Sequence, residues 1–412
     1  MIIKSHDLIQ NLDYDKIVMR FFAILGFGLS FSPSVVSIAL GFMALLFLLE
    51  RRYKDRFLKI SKNPLSYIVL LIVLLHIMGF LWTSDFQMAI ETLSRAWKFL
   101  LIPFFMMYVK KENIPLLLSA FLLGMVVSEV ATYLIWLGFI EPFGKATQYL
   151  PSPFMYHPYY TVYAALSAGL LMHYFFFDRP ASRWRIALMA IFLLTIIVNL
   201  SFMGGRGGQV GFFVLLFIFF IVYFKGQWIR SFLVFTLVSS ILFALAYQFV
   251  PIFKERANKA VFEVIKFEEG LQKSSLGIRL ALNINYFEAF MDAPLLGHGT
   301  GGYFDAYEKV NANSPYKTHL TQPHNMFLLI LVQFGILGGI IFLSMFAYML
   351  WYGWQARDTL RAFKIAFPFF WLVIMLVNWY LYSHHTLYAF LYFSAILYGT
   401  NLDKRLENTA EI

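Results

Sequence analysis

Apolar residues in this chain are gathered into successive runs, each near the roughly 20 residues a helix needs to cross the hydrocarbon of a bilayer. Runs at 17–32, 33–49, 65–82, 93–109, 114–138, 158–177, 186–203, 208–224, 231–249, 324–350, 365–382 and 387–400 predict about twelve transmembrane helices. Backbone groups in lipid must find their partners within the segment, and no period-two alternation points to a barrel, so the pattern predicts an all-α polytopic membrane protein. The long interruption is 250–323, between predicted spans nine and ten. There PIFKERANKAVFEVIKFEEG reads as an amphipathic helix closed by Gly270, SSLGIRLALNINYFEAFMD as a second stopped before Pro294, and GGYFDAYEKV as a short third. A loop this long is expected to be a folded helical cap, inserted into a single integral membrane domain spanning 1–412.

Composition sharpens this picture. Sixty per cent of residues are apolar and 14% charged, which no soluble core of this size needs. The absence of cysteine excludes thiol catalysis, disulfides and thiolate metal sites. The net charge of +10 is assigned to loop topology and anionic membrane lipids rather than to nucleic acid. Basic clusters at 51–62, 110–111, 178–185, 225–230, 354–364 and 403–407 fall on alternate sides of the span list, which makes that side cytoplasmic and puts both termini inside. The 250–323 loop then faces outward. The opening MIIKSHDLIQNLDYDK is polar and acidic, unlike a basic leader, so the first span is expected to be retained, and its DYD at 13–15 reads as solvated tail.

Three features with chemical potential fall on the outer side. MGGRGGQ at 203–209 sets Arg206 between glycine pairs, where the backbone can leave the helix and approach a ligand; a snorkelling arginine or an anion site both fit these residues. Arg279 lies near the start of the second loop helix and alone means little. PHNMFLLILVQFGILGG at 323–339 opens span ten with His324 and Asn325 and continues to Gly335 and Gly338, glycines that would allow close helix packing. His324 reads either as a proton acceptor that is neutral near pH 7 or as a hydrogen-bonded interfacial histidine.

His-Asn followed by nine residues, Gly, two residues and Gly, at the first turn of the span after the large outer loop, resembles the signature of the O-antigen ligase and O-antigen polymerase family. Arg206 in its RGG turn, Arg279 at the start of a loop helix, and PLLGHGTGGYF downstream resemble that family in the same order, so the likeness covers about 200–340 by motif. Val210 stands where ligases often carry Leu, a conservative departure.

The resemblance implies a GT-C-like, metal-independent membrane glycosyltransferase without cofactor. Its donor would be an undecaprenyl diphosphate-linked glycan on the periplasmic face of the bacterial inner membrane, and its acceptor a lipid A-core sugar. Arg206 and Arg279 would bind the diphosphate and His324 would activate the acceptor hydroxyl, with inversion at the anomeric carbon. Arg95, Lys98, His298 and Asn325 are secondary candidates. His157, His319, His384 and His385 show no carboxylate-supported helical metal spacing. A polymerase of the same family is the nearest alternative, set back because the other outer loop, 139–157, is short. Protein O-glycosylating relatives share the motif class. A transporter or flippase would instead carry ionisable residues at the membrane midplane.

Overall fold

A computed structural model describes residues 13–265 and 275–400; Gly270, expected to close the first loop helix, lies outside them. The helices are α1 (Tyr14–Gly28), α2 (Pro33–Glu50), α3 (Tyr53–Ser61), α4 (Pro64–Met78), α5 (Phe86–Ala96), α6 (Leu101–Met106), α7 (Ile114–Trp136), α8 (His157–Phe177) and α9 (Arg183–Phe202). They continue with α10 (Arg206–Tyr223), α11 (Trp228–Phe249), α12 (Pro251–Ile265), α13 (Ser275–Asp292), α14 (Tyr303–Asn313), α15 (Met326–Gln355), α16 (Arg361–Ile374) and α17 (His384–Tyr398). Every predicted run carries a helix. Among the described residues, eight helices are long and apolar enough to cross a membrane, so the protein is a polytopic helical membrane protein.

Two predicted spans are broken. The run 93–109 divides into α5, a 3-10 turn at Trp97–Leu100, and α6. Pro103 has no N–H to give to the preceding turn, and restarting the helix at Leu101 places it in a first turn, where none is needed. The run 365–382 stays α-helical only to Ile374, and the chain from 375 to 383 is irregular apart from a 3-10 turn at Tyr380–Tyr382. That irregular segment becomes part of the candidate site.

The described residues pack into two compact units. The first draws on Met1–Tyr67, Leu100–Tyr156 and Tyr388–Ile412. In it α1 packs against α2 and α7. Ser32 caps α2 by accepting from the Val35 N–H at 3.3 Å, just ahead of Pro33 at the first helical position. A buried ionic cluster lies at the start of α3. The Arg56 guanidinium donates to Glu50 (Nε to Oε2, 3.2 Å), to Asp15 and to the Met107 carbonyl at 3.1 Å, and lies over the Tyr108 ring at 4.2 Å. The acidic 13–15 motif is therefore not solvated tail: Asp13 caps α1 through the Lys16 N–H at 3.1 Å, and Asp15 holds Arg56 and Lys110. A helix start needs an acceptor for its free N–H groups, and a buried guanidinium needs carboxylates.

The second unit draws on Ile68–Phe99 and His157–Leu387. Helix α10 packs between α8 and α16, and α15 packs along α16. Within 250–323, where a helical cap is expected, α12, α13 and α14 fall near their expected places, with irregular chain at 293–302 and 314–323. Its interior is knit around Asn285, which donates to Asn311 Oδ1 at 3.1 Å and accepts from Ser314 Oγ at 2.7 Å. Stacked rings of Tyr286 and Tyr307, 4.6 Å apart, send their hydroxyls to the carbonyls of Thr321 (2.7 Å) and Leu320 (2.8 Å). Buried polar groups so satisfied cost little and fix one arrangement.

Gly335 is the sharpest feature of this unit. It has φ 60° and ψ −159°, which breaks α15 and sends its backbone through a conformation that only glycine adopts freely. The expected role of Gly335 and Gly338 in packing a neighbouring helix is thereby corrected. The backbone nearest Gly335 is that of Leu295, in the PLLGHGTGG loop, and Gly338 faces Phe334 of its own helix. At the break the loop takes over the helix's hydrogen bonds: Ile336 and Leu337 donate to the carbonyls of Pro294 (2.8 Å) and Leu295 (3.4 Å). In return the Val332 and Gln333 carbonyls accept from His298 and Gly299, each at 2.9 Å. The Gln333 side chain adds a bond from the Gly301 N–H at 3.0 Å.

Candidate functional site

The site is assembled where α15 begins. Asn325 is the N-cap of that helix, its Oδ1 accepting from the N–H groups of Phe327 (3.0 Å) and Leu328 (3.3 Å). The asparagine of the His-Asn pair thus has a structural reason: it ends the loop and starts the span at a fixed residue. The Met326 N–H, otherwise an orphan of the first turn, donates to the Met375 carbonyl at 2.9 Å and ties the start of α15 to the end of α16.

His324, one residue before the cap, is half-buried. Its Nδ1 is enclosed and has no hydrogen-bond partner among the described residues. Burial lowers its pKa below the ordinary histidine value, the nearby Arg279 charge lowers it further, and a hydrogen bond with the Asn378 side chain opposes them. The imidazole is therefore neutral at neutral pH, with a lone pair available for a proton. Arg279, on the first turns of α13, is half-buried and close enough to His324 to act on its charge.

The irregular segment after α16 joins these groups to the RGG turn. Asn378 accepts from the Trp379 N–H at 2.9 Å through its own Oδ1 and reaches both His324 and Tyr380 with its side chain. Tyr380 lies against Gly207: a Cβ built on that glycine would fall 2.1 Å from the tyrosine hydroxyl. Gly205 and Gly208 meet Thr161 of α8 as closely. The glycines flanking Arg206 therefore seat the start of α10 against α8 and Tyr380. Arg206 itself is the exposed first residue of α10 and makes no hydrogen bond or ion pair among the described residues.

The secondary candidates separate. Arg95 is paired with Glu91 on α5 and stacks over Trp379 at 5.2 Å, which places it beside the same irregular segment with its charge partly met. Lys98 follows within reach of the Arg95 charge. His298 is committed to architecture, its Nε2 bonded to the Ala289 carbonyl at 2.9 Å and its N–H to Val332. Sequence reading missed Asn378 and Tyr380; a single amide in the otherwise apolar LVNWYLY was the available signal. It also missed Arg256, on α12, whose Nη1 donates to the Phe202 carbonyl at 2.9 Å.

His324 thus lies near Arg279, and the irregular segment after α16 links it through Asn378 and Tyr380 to the glycine turn that carries Arg206, in a polytopic membrane protein. Residues 190–343 match the protein-family model described as O-antigen ligase. The resemblance to the O-antigen ligase and polymerase family thus holds over the segment that carries its motifs. An uncharacterized protein of Haemophilus influenzae is 29% identical over 182 residues, 42% of this chain and 44% of that protein, so the likeness spans less than half of the relative's length.

Proposed function

We propose that this protein is an O-antigen ligase, transferring a glycan from undecaprenyl diphosphate to a lipid A-core sugar on the periplasmic face of the inner membrane, without a metal. The observation that carries the reading is His324 at the mouth of α15, its Nδ1 enclosed and without a partner among the described residues, near enough to Arg279 for that charge to add to burial in lowering its pKa. The acceptor hydroxyl oxygen attacks the anomeric carbon and gives its proton to His324. The bond from that carbon to the phosphate oxygen breaks, and its electron pair leaves on the diphosphate. That leaving group is a weak base and needs charge stabilisation rather than a proton, a task for the forked donors of Arg206 and Arg279. Direct displacement inverts the anomeric centre.

Polymerisation of lipid-linked repeats is the second reading. Against it stands the 139–157 connection, which closes tightly on itself through Lys145 N–H to Pro153 O (2.9 Å) and Thr147 N–H to Leu150 O (3.0 Å), leaving one large loop at 250–323. The deciding experiment measures transfer in a null strain and with purified protein, comparing wild type with His324→Ala, Arg206→Ala and Arg279→Ala, with chelator present. Core transfer that survives chelator and is lost in the variants supports the ligase. Longer lipid-linked chains without core transfer make it a polymerase, and unchanged transfer by His324→Ala removes the mechanism.

A further inference from the structure

Arg206 has a neighbour that the motifs did not include. Arg256 comes from α12, the first helix of the cap, and one of its five N–H donors reaches the Phe202 carbonyl in the last turn of α9 at 2.9 Å. Phe202 precedes the MGGRGG turn, so this bond sets Arg256 at the base of the turn that presents Arg206. The two guanidinium groups lie close enough for the Arg206 charge to oppose that of Arg256, whose own partial burial already disfavours a cation; Glu255 offsets this in part. Capping a helix carbonyl calls for only one donor, which glutamine or lysine supplies equally well. Two arginines brought together in this way, one with no partner among the described residues, gain most when an anion lies between them.

We infer that Arg256 is a third diphosphate-binding residue, acting with Arg206 on the phosphate groups of the lipid-linked donor. The inference rests on the donor reading above and adds to it a contribution from the first cap helix. Phosphate chemistry at a membrane surface has two sources, the donor diphosphate and phospholipid headgroups, and the experiment separates them.

Donor KM and kcat are measured in proteoliposomes for wild type, Arg256→Gln and Arg256→Lys, with Arg206→Ala and Arg279→Ala in parallel and inorganic pyrophosphate as competitor. Glutamine keeps a donor for Phe202 without the charge; lysine keeps both. The expected result is a donor KM at least tenfold higher in Arg256→Gln with kcat within threefold, substantial recovery in Arg256→Lys, and pyrophosphate inhibition weakened in step with the charge. A KM unchanged in both Arg256 variants, or an equal loss of kcat in both, makes Arg256 a helix cap and overturns the inference. Unchanged pyrophosphate inhibition, with only the response to added anionic phospholipid altered, assigns the arginine to a headgroup and overturns it as well. If Arg206→Ala and Arg279→Ala raise donor KM while Arg256→Gln does not, this inference alone falls; if none of the three does, the donor reading itself fails.

Discussion

Arg56 and Arg206 are the same side chain in opposite circumstances. Arg56 has only 8% of its side chain exposed, and Glu50, Asp15, the Met107 carbonyl and the face of Tyr108 leave it little to offer a ligand. Arg206 stands exposed at a helix start with no acceptor among the described residues. A buried ion pair is worth little against apolar packing but costs a great deal to half-remove, whereas an unmatched cation on a rigid glycine turn contributes little to folding and remains available for an anion. Charge alone does not distinguish a structural arginine from a binding one; the supply of acceptors around it does.

Exchanging the two tests should separate stability from activity. Arg56→Ala removes the buried cation that meets Glu50, whose side chain is 1% exposed, leaving it the Tyr108 hydroxyl at 3.1 Å and Arg52 at 3.7 Å, and is expected to lower stability by about 3 kcal/mol, read as lost yield and a lower melting temperature in detergent. Arg206→Ala should leave melting nearly unchanged while transfer falls by about 10²–10³-fold, the usual effect of losing one charge-stabilising donor. Equal melting losses in both would dissolve the distinction.

Next in size is Gly335→Ala. Its φ of 60° and the Leu295 carbonyl 2.3 Å from an added Cβ leave no conformation to relax into, so a loss of roughly 1–3 kcal/mol or more is expected by thermal unfolding. Gly207→Ala meets only the end of a side chain, the Tyr380 hydroxyl, and a smaller loss of activity should be partly restored by Tyr380→Phe; absence of any rescue would separate the RGG turn from Tyr380.

The smallest effect is on pH dependence. Under the proposed mechanism transfer needs neutral His324, so activity is expected to fall as pH drops through its pKa, which burial and then Arg279 hold below the ordinary value of 6.5. Arg279→Gln removes one lowering cause, and the acid limb of its residual kcat should move to higher pH. A limb that stays in place would show that the two groups do not share a site.

Much of this was legible in the chain. Long apolar runs report the spans because lipid leaves the backbone no other partner, and the cap helices were readable from their periodicity and from Pro294. The breaks were less visible. A hydropathy window averages over Pro103, and it cannot see that Gly335 adopts positive φ, because that depends on a loop forty residues earlier in the chain arriving to receive the freed groups. Asn378, Tyr380 and Arg256 were hidden for the same reason: each acquires its role from a partner distant in sequence.

The exchange at Gly335 also predicts which kinds of genetic change this region tolerates. Four peptide groups of α15 bond to the loop backbone rather than to one another, about 14 Å along the helix from Met326, at a depth where an unmatched peptide is costly. Main-chain partners do not depend on side-chain identity, so many replacements at the exposed Leu295 and Leu296 should pass unnoticed, whereas Gly297, at φ 65° and with the Gln333 backbone 2.4 Å from an added Cβ, should resist replacement. Adding or removing a single residue there shifts every pairing by one and leaves the span unmatched, so homologous chains should drift in composition at 295–296 while holding the loop's length and its positive-φ glycines.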